Sequence, residues 1–185
     1  MLTSLFMVWM FGVALIEGLG VGNVKPNVVL PLSIKVNGVV QNAHITIDSN
    51  WRWIHKKNNY DNCFTSSWTC PDSDTCSRDC VIEGVSSEDW AAPYGVSTSD
   101  SSLTLNYVTK GPYGENAGSR VYVLESSKNK YRGFDMRHRE ISFTVDVSQL
   151  PCGTNGAVYF TEMPLTNPYS TTLDSSYGVN YGDAQ

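Results

Sequence analysis

The sequence predicts an all-β protein, an antiparallel sandwich of short strands. Three observations lead there. Serine, threonine, glycine, asparagine and tyrosine are plentiful, a composition that suits many turns. No long segment carries the 3.6-residue apolar period of a helix. Short alternating runs recur along the chain with turn signals between them. At 185 residues the chain is one domain by length, with no internal repeat and no linker.

Residues 5–16 form an apolar run bounded by Glu17. It is shorter than the roughly 20 apolar residues a membrane span needs. Gly18 and Gly20 follow at a spacing that a signal peptidase accepts, so residues 1–20 read as a secretory signal. Residues 21–32 read as an arm kept extended by Pro26 and Pro31. Residues 33–36 lead into Asn37-Gly38, a hairpin-turn dipeptide, and Val39-Val40 begin the return. Residues 44–48 alternate, as do residues 103–107. Residues 111–118 read as a turn before a strand at 120–124. The clearest strand is 141–148, with Ile141, Phe143, Val145 and Val147 on one face. Residues 156–163 read as the next strand, and 164–185 as loop.

In Ile47-Asp48-Ser49-Asn50-Trp51-Arg52-Trp53 two tryptophans stand two apart. In an extended segment such residues share a face, roughly 7 Å apart. Trp51 and Trp53 would then form an aromatic shelf, with Arg52 on the other face. Such a shelf serves either a core or a flat, wet ligand such as a sugar ring.

The net charge of −5 argues against a nucleic-acid partner, which needs clustered Lys and Arg. Of the five cysteines, Cys63, Cys70, Cys76 and Cys80 lie close together and Cys152 stands alone. The spacing fits zinc knuckles poorly, and secretion favours disulfides. Four cysteines allow three pairings; the nested one suits a loop pinned at base and tip. No metal site, phosphate-binding glycine loop or asparagine glycosylation signal is present, and no cofactor is expected.

Taken together, several collinear pieces resemble glycoside hydrolase family 7, the cellobiohydrolases and endoglucanases that act on cellulose. They are Asp48-Ser49-Asn50-Trp51-Arg52-Trp53, Asn62-Cys63-Phe64-Thr65, Cys70-Pro71-Asp72, Thr75-Cys76, Tyr94-Gly95-Val96 and Asn116-Ala117-Gly118-Ser119-Arg120-Val121-Tyr122. The run from Phe143 through Leu150-Pro151-Cys152-Gly153-Thr154-Asn155-Gly156 to Tyr159-Phe160 is the longest, and Tyr177-Gly178-Val179-Asn180-Tyr181 with Asp183-Ala184-Gln185 is the last.

The resemblance implies a concanavalin-like jelly-roll sandwich, incomplete in this chain, whose concave sheet carries a cellulose-binding cleft. Trp51 and Trp53 would be sugar-stacking platforms, since a pyranose offers a flat C–H face to an aromatic ring. Arg120 would hydrogen-bond sugar hydroxyls. Asn155 and Tyr159 would lie nearer the cleavage point, and Tyr181, Asp183 and Gln185 beside the catalytic carboxylates. The pairs Cys63–Cys80 and Cys70–Cys76 match family disulfides. The implied partner is cellulose or a related β-1,4-glucan, met outside the cell by a monomer with no membrane contact after signal removal.

The family cleaves with retention, using a Glu-x-Asp-x-x-Glu strand that sets two carboxylates about 5–5.5 Å apart. These 185 residues contain no such pattern, and the resemblance places it beyond Gln185. Gly182 stands where the family usually has cysteine. A half-sandwich lacks part of its facing sheet, so residues 21–185 alone are expected to fold poorly or aggregate. Two functions fit: a secreted retaining cellulase, and a non-catalytic extracellular glucan-binding β-sandwich.

Overall fold

The structure, a computed structural model, describes residues 19–170 and 172–182. The apolar run 5–16 and the candidate site residues Asp183 and Gln185 lie outside the described residues. The strands are β1 (Gly20–Val21), β2 (Leu30–Val36), β3 (Val39–Ile47), β4 (Ile54–Lys56), β5 (Cys80–Ile82), β6 (Val96–Ser99), β7 (Ser102–Leu105), β8 (Val108–Gly111), β9 (Gly114–Ala117) and β10 (Val121–Leu124). Two short helices, α1 (Ser73–Asp79) and α2 (Ser87–Ala91), complete the regular elements with two 3-10 turns, Ser49–Trp51 and Ser175–Tyr177. The all-β expectation therefore holds.

The central sheet has the order β10-β3-β2, antiparallel throughout. Asn37 and Gly38 both take positive φ, 51° and 81°, as a two-residue hairpin requires. Pro31 sits within β2 because β2 is an edge strand with no outer ladder to supply. The second sheet, β1-β5-β4, lies beyond the chain turn at Ser49–Trp51. Two small cores follow from this division. One joins Ile54, Ile82, Leu173 and Val179 to the Cys63–Cys80 bridge. The other joins Ile45 and Ile47 of β3 to Val85, Trp90 and Val96. The nested disulfides Cys63–Cys80 and Cys70–Cys76 close as the resemblance implied, and Cys152 is free and exposed.

Three expectations about local structure need correction. Residues 141–148 and 156–163 belong to no sheet. Ile141, Phe143, Val145 and Val147 are between 37% and 55% exposed. Alternation records which side chains suit cover, but a strand also needs a neighbour to complete its backbone ladder. Among the described residues no ladder reaches these segments. Residues 111–118 are more than a turn: β8 and β9 pair around Pro112-Tyr113 as a hairpin. The helix α1 lies inside the disulfide loop, started by Asp72, whose carboxylate accepts the Thr75 amide at 2.7 Å.

Arg52 ties the pieces together. It is only 6% exposed. Its guanidinium donates to Asn27 Oδ1 at 2.8 Å, to Thr46 Oγ1 at 2.9 Å and to the Ser176 carbonyl at 2.9 Å, with longer bonds to the Ile47 and Glu83 carbonyls. The Tyr177 ring lies 5.3 Å from its carbon centre. The N-terminal arm, β3, the end of β5 and the tail thus meet on one side chain. Burial, only partly offset by nearby tyrosines and Asp48, lowers the guanidinium pKa to about 10. Arg52→Met would keep the volume and leave several acceptors buried without donors. It is expected to cost at least about 3 kcal/mol, read as a lower urea midpoint. An unchanged midpoint would mean that Arg52 is not the tie.

Candidate glucan-binding site

Asp48 directly follows β3, with both carboxylate oxygens in use. Oδ1 accepts the Asn50 amide at 2.8 Å and so caps the 3-10 turn Ser49–Trp51. Oδ2 accepts Arg120 Nε at 2.5 Å, and the Asp48 amide donates to the Arg120 carbonyl at 2.9 Å. Arg120 therefore enters β10 pinned by backbone and side chain alike. Its Nη2 donates to the Tyr181 hydroxyl at 3.1 Å, and the guanidinium lies 5.0 Å from the Tyr181 ring centre. Asn50 Nδ2 donates to the same hydroxyl at 2.7 Å. Tyr181 stacks on Tyr122 with centroids 4.9 Å apart. Tyr122 in turn meets Tyr131 edge-on, and Tyr131 donates to the Val179 carbonyl at 2.7 Å.

Tyr181 reaches this cluster because the tail docks on the end of β3. The Ser49 amide donates to the Gly178 carbonyl at 3.0 Å. Gly178 has φ +66°, and a side-chain carbon there would run into the Ile47 carbonyl. Glycine is what that approach requires. Gly182 has a similar reason to lack a side chain: a Cβ would stand 2.5 Å from the Glu162 carbonyl. Glycine at this position thus lets residues 161–163 pack close.

The tryptophan segment is not extended throughout, so the single shelf is not formed. Trp51 closes the 3-10 turn and packs, half-buried, on the Ile45–Ile47 cluster. Trp53 lies over His55 of β4 with centroids 4.0 Å apart, and its indole N–H donates to Asn62 Oδ1 at 2.8 Å. The turn capped by Asp48 breaks the extended run between them, and the two rings have different neighbours. Of the other candidate residues, Arg120 and Tyr181 are in direct contact. Tyr159 is 40% exposed and close enough to act electrostatically on the Tyr122 phenol. Asn155 is exposed on an unladdered segment. Asp48, Asn50 and Tyr122 were not among the sequence candidates. An Asp directly before a short turn is a capping signal that could have singled out Asp48.

The electrostatics favour a fixed Arg120. Burial would lower its pKa, but the adjacent Asp48 carboxylate more than offsets this and raises it. Burial pushes the Asp48 carboxyl up, against the Asn50 amide and Arg120. Tyr122 and Tyr181 phenols are pushed up chiefly by burial and then by Asp48. Asp48 is the one carboxylate among these groups, and among the described residues they form no cluster of metal ligands. The Cys70, Cys76 and Cys80 sulfurs lie within 4.8 Å of one another, but all are held in disulfides. The arrangement can orient hydroxyl-bearing ligands; it supplies no acid–base pair.

Five phenols, those of Tyr94, Tyr122, Tyr131, Tyr177 and Tyr181, have pKa values raised above 10, that of Tyr94 to about 12. Their folded values exceed their unfolded ones. Their contribution to stability is therefore whole below pH 10 and is lost as pH rises through the folded values. A tyrosinate absorbance titration should show these five of the ten tyrosines resisting ionisation until the fold opens in alkali. Ten phenols titrating together near pH 10 in the folded state would contradict the packing.

Comparison with known proteins bears on the whole chain. Residues 29–185 match the profile of Glycosyl hydrolase family 7. The exoglucanase GH7B of Limnoria quadripunctata is 41% identical over 191 residues, which take in 98% of this chain and 42% of that protein. A crystal structure of a GH7 family cellobiohydrolase from Daphnia pulex superposes with a TM-score of 0.83 at 37% identity, over 89% of this chain and 40% of that one. A cellobiohydrolase from Melanocarpus albomyces, crystallised with cellotetraose, gives 0.56 at 41% identity over 62% of this chain and 28% of that one. The chain thus spans about two-fifths of the length of the curated relative. Its open strands share the jelly-roll architecture of these structures, and the chain belongs to glycosyl hydrolase family 7.

Proposed function

We propose that this chain is the glucan-binding part of a secreted cellulase that hydrolyses β-1,4-glucosidic bonds with retention. Trp51 and Trp53 stack on pyranose faces. Arg120, Tyr181, Asn155 and Tyr159 address hydroxyls along the same chain of sugars, with Asp183 and Gln185 nearer the reacting bond. Residues 1–20 direct export, and the working protein is a monomer. The observation that supports the reading is the Asp48–Arg120–Tyr181–Asn50 cluster at the end of β3. A pinned guanidinium lying against a phenol suits a ligand hydroxylated at its rim, and the Trp51 and Trp53 indoles suit its flat apolar faces. The acid and nucleophile belong to the family's Glu-x-Asp-x-x-Glu strand, which these 185 residues do not contain.

The deciding experiment sequences the native transcript past codon 185 and assays its product on cellulose, following anomeric configuration by NMR. The pattern downstream and a retained β-product are the expected result. A stop codon there, with cellulose binding but no sugar released, would leave the non-catalytic glucan-binding reading. In either case Trp53→Ala should weaken cello-oligosaccharide binding by about tenfold, measured by calorimetry. Full affinity in that variant would remove Trp53 from the site.

A further inference from the structure

Tyr60 stands at φ +59° in the turn after β4. This left-handed backbone suits Gly or Asn and is rare for a bulky side chain. A turn alone would be served better by either. The turn is firmly closed around it. The Lys56 amide donates to the Asp61 carbonyl at 2.8 Å, and the Tyr60 amide to the Lys56 carbonyl at 3.2 Å. Asn59 Nδ2 donates to Asp61 Oδ2 at 2.7 Å. The Cys63 amide then donates to the Ile54 carbonyl at 2.9 Å, and Cys63 is bridged to Cys80 in β5.

This frame presents the Tyr60 ring 51% exposed, 6.3 Å from the Trp53 ring centre and 29° from parallel with it. Both rings border His55, at 4.0 Å from Trp53 and 5.2 Å from Tyr60. His55 is buried and fixed at both nitrogens, by Glu83 Oε1 at 2.9 Å and the Lys56 carbonyl at 2.8 Å. Glu83, also buried, accepts the Val24 and Lys25 amides. The floor beneath the two rings is therefore rigid, and the indole edge is held by Asn62.

We propose that Tyr60 is a second sugar platform, extending that of Trp53 so that the two rings hold neighbouring pyranose units of one β-1,4-glucan chain. This rests on Trp53 contacting sugar. A backbone position that disfavours tyrosine, a rigid support and an exposed near-parallel ring are together explained by a ligand that uses the ring face.

The test uses the protein encoded by the native transcript and a sulfur-bridged cellohexaose analogue, which resists hydrolysis. Tyr60→Asn removes the ring but suits the positive φ, so the turn survives. It should weaken binding about fivefold by calorimetry, while Tyr60→Phe stays within about twofold of wild type. Tyr60→Asn binding as tightly as wild type, with Trp53→Ala weakened, overturns the role of Tyr60 and leaves the glucan-binding reading standing. A wild-type protein with no affinity for the analogue overturns both.

Discussion

A guanidinium buried without a carboxylate beside it is the constraint on which the architecture depends. The desolvation cost of Arg52 is met by neutral acceptors drawn from four separate stretches of chain. None of those stretches can leave without stranding a buried donor. A single charged group thus enforces long-range closure that two small hydrophobic cores do not enforce alone. It also sets the tail against β3, and the tail brings Tyr181 to Arg120.

Of two arginines near the end of β3, one is paired with a carboxylate and one is not. Asp48 goes to Arg120, the more exposed of the two, and Arg52 is left to carbonyls, an amide and a hydroxyl. Under the proposed function this division has a consequence. A surface arginine on a free stem would lose rotamer entropy on meeting a ligand. Arg120, already oriented by Asp48 and Tyr181, has given up that freedom on folding.

The hairpin at Asn37-Gly38, the nested disulfides and the all-β class were legible because each depends on local chemistry: a turn dipeptide, a cysteine spacing within a known family pattern, an absent helical period. The strands at 141–148 and 156–163 were misread for the opposite reason. Their alternation is real, but a ladder is a property of two segments, and periodicity in one says nothing about the other. The shelf failed on a local detail. Asp48 caps a 3-10 turn, and one tight turn rotates side chains out of the period-two register. Arg120 and Tyr181 were legible through the family resemblance alone; nothing in their spacing, 61 residues apart, shows that they touch. The Ile47, Glu83 and Ser176 carbonyls that accept from Arg52 were invisible in sequence, because main-chain carbonyls carry no residue signature.

The uncovered face at Ile141, Phe143, Val145 and Val147 and the polar cluster at Asp48 differ in what they ask of their surroundings. The apolar face gains from any dry cover, since burial is non-directional. The cluster gains only from groups that meet fixed donors and acceptors, because each hydrogen bond left unmade in a dry site is costly. Aromatic rings such as Trp53 lie between these cases: their faces take apolar surface while the indole N–H stays bonded to Asn62. A ligand that satisfies both demands must alternate C–H faces with hydroxyl rims along its length. The proposed β-linked glucan has that chemistry, and under that proposal the aromatic and polar residues would serve one site although the fold holds them by separate means.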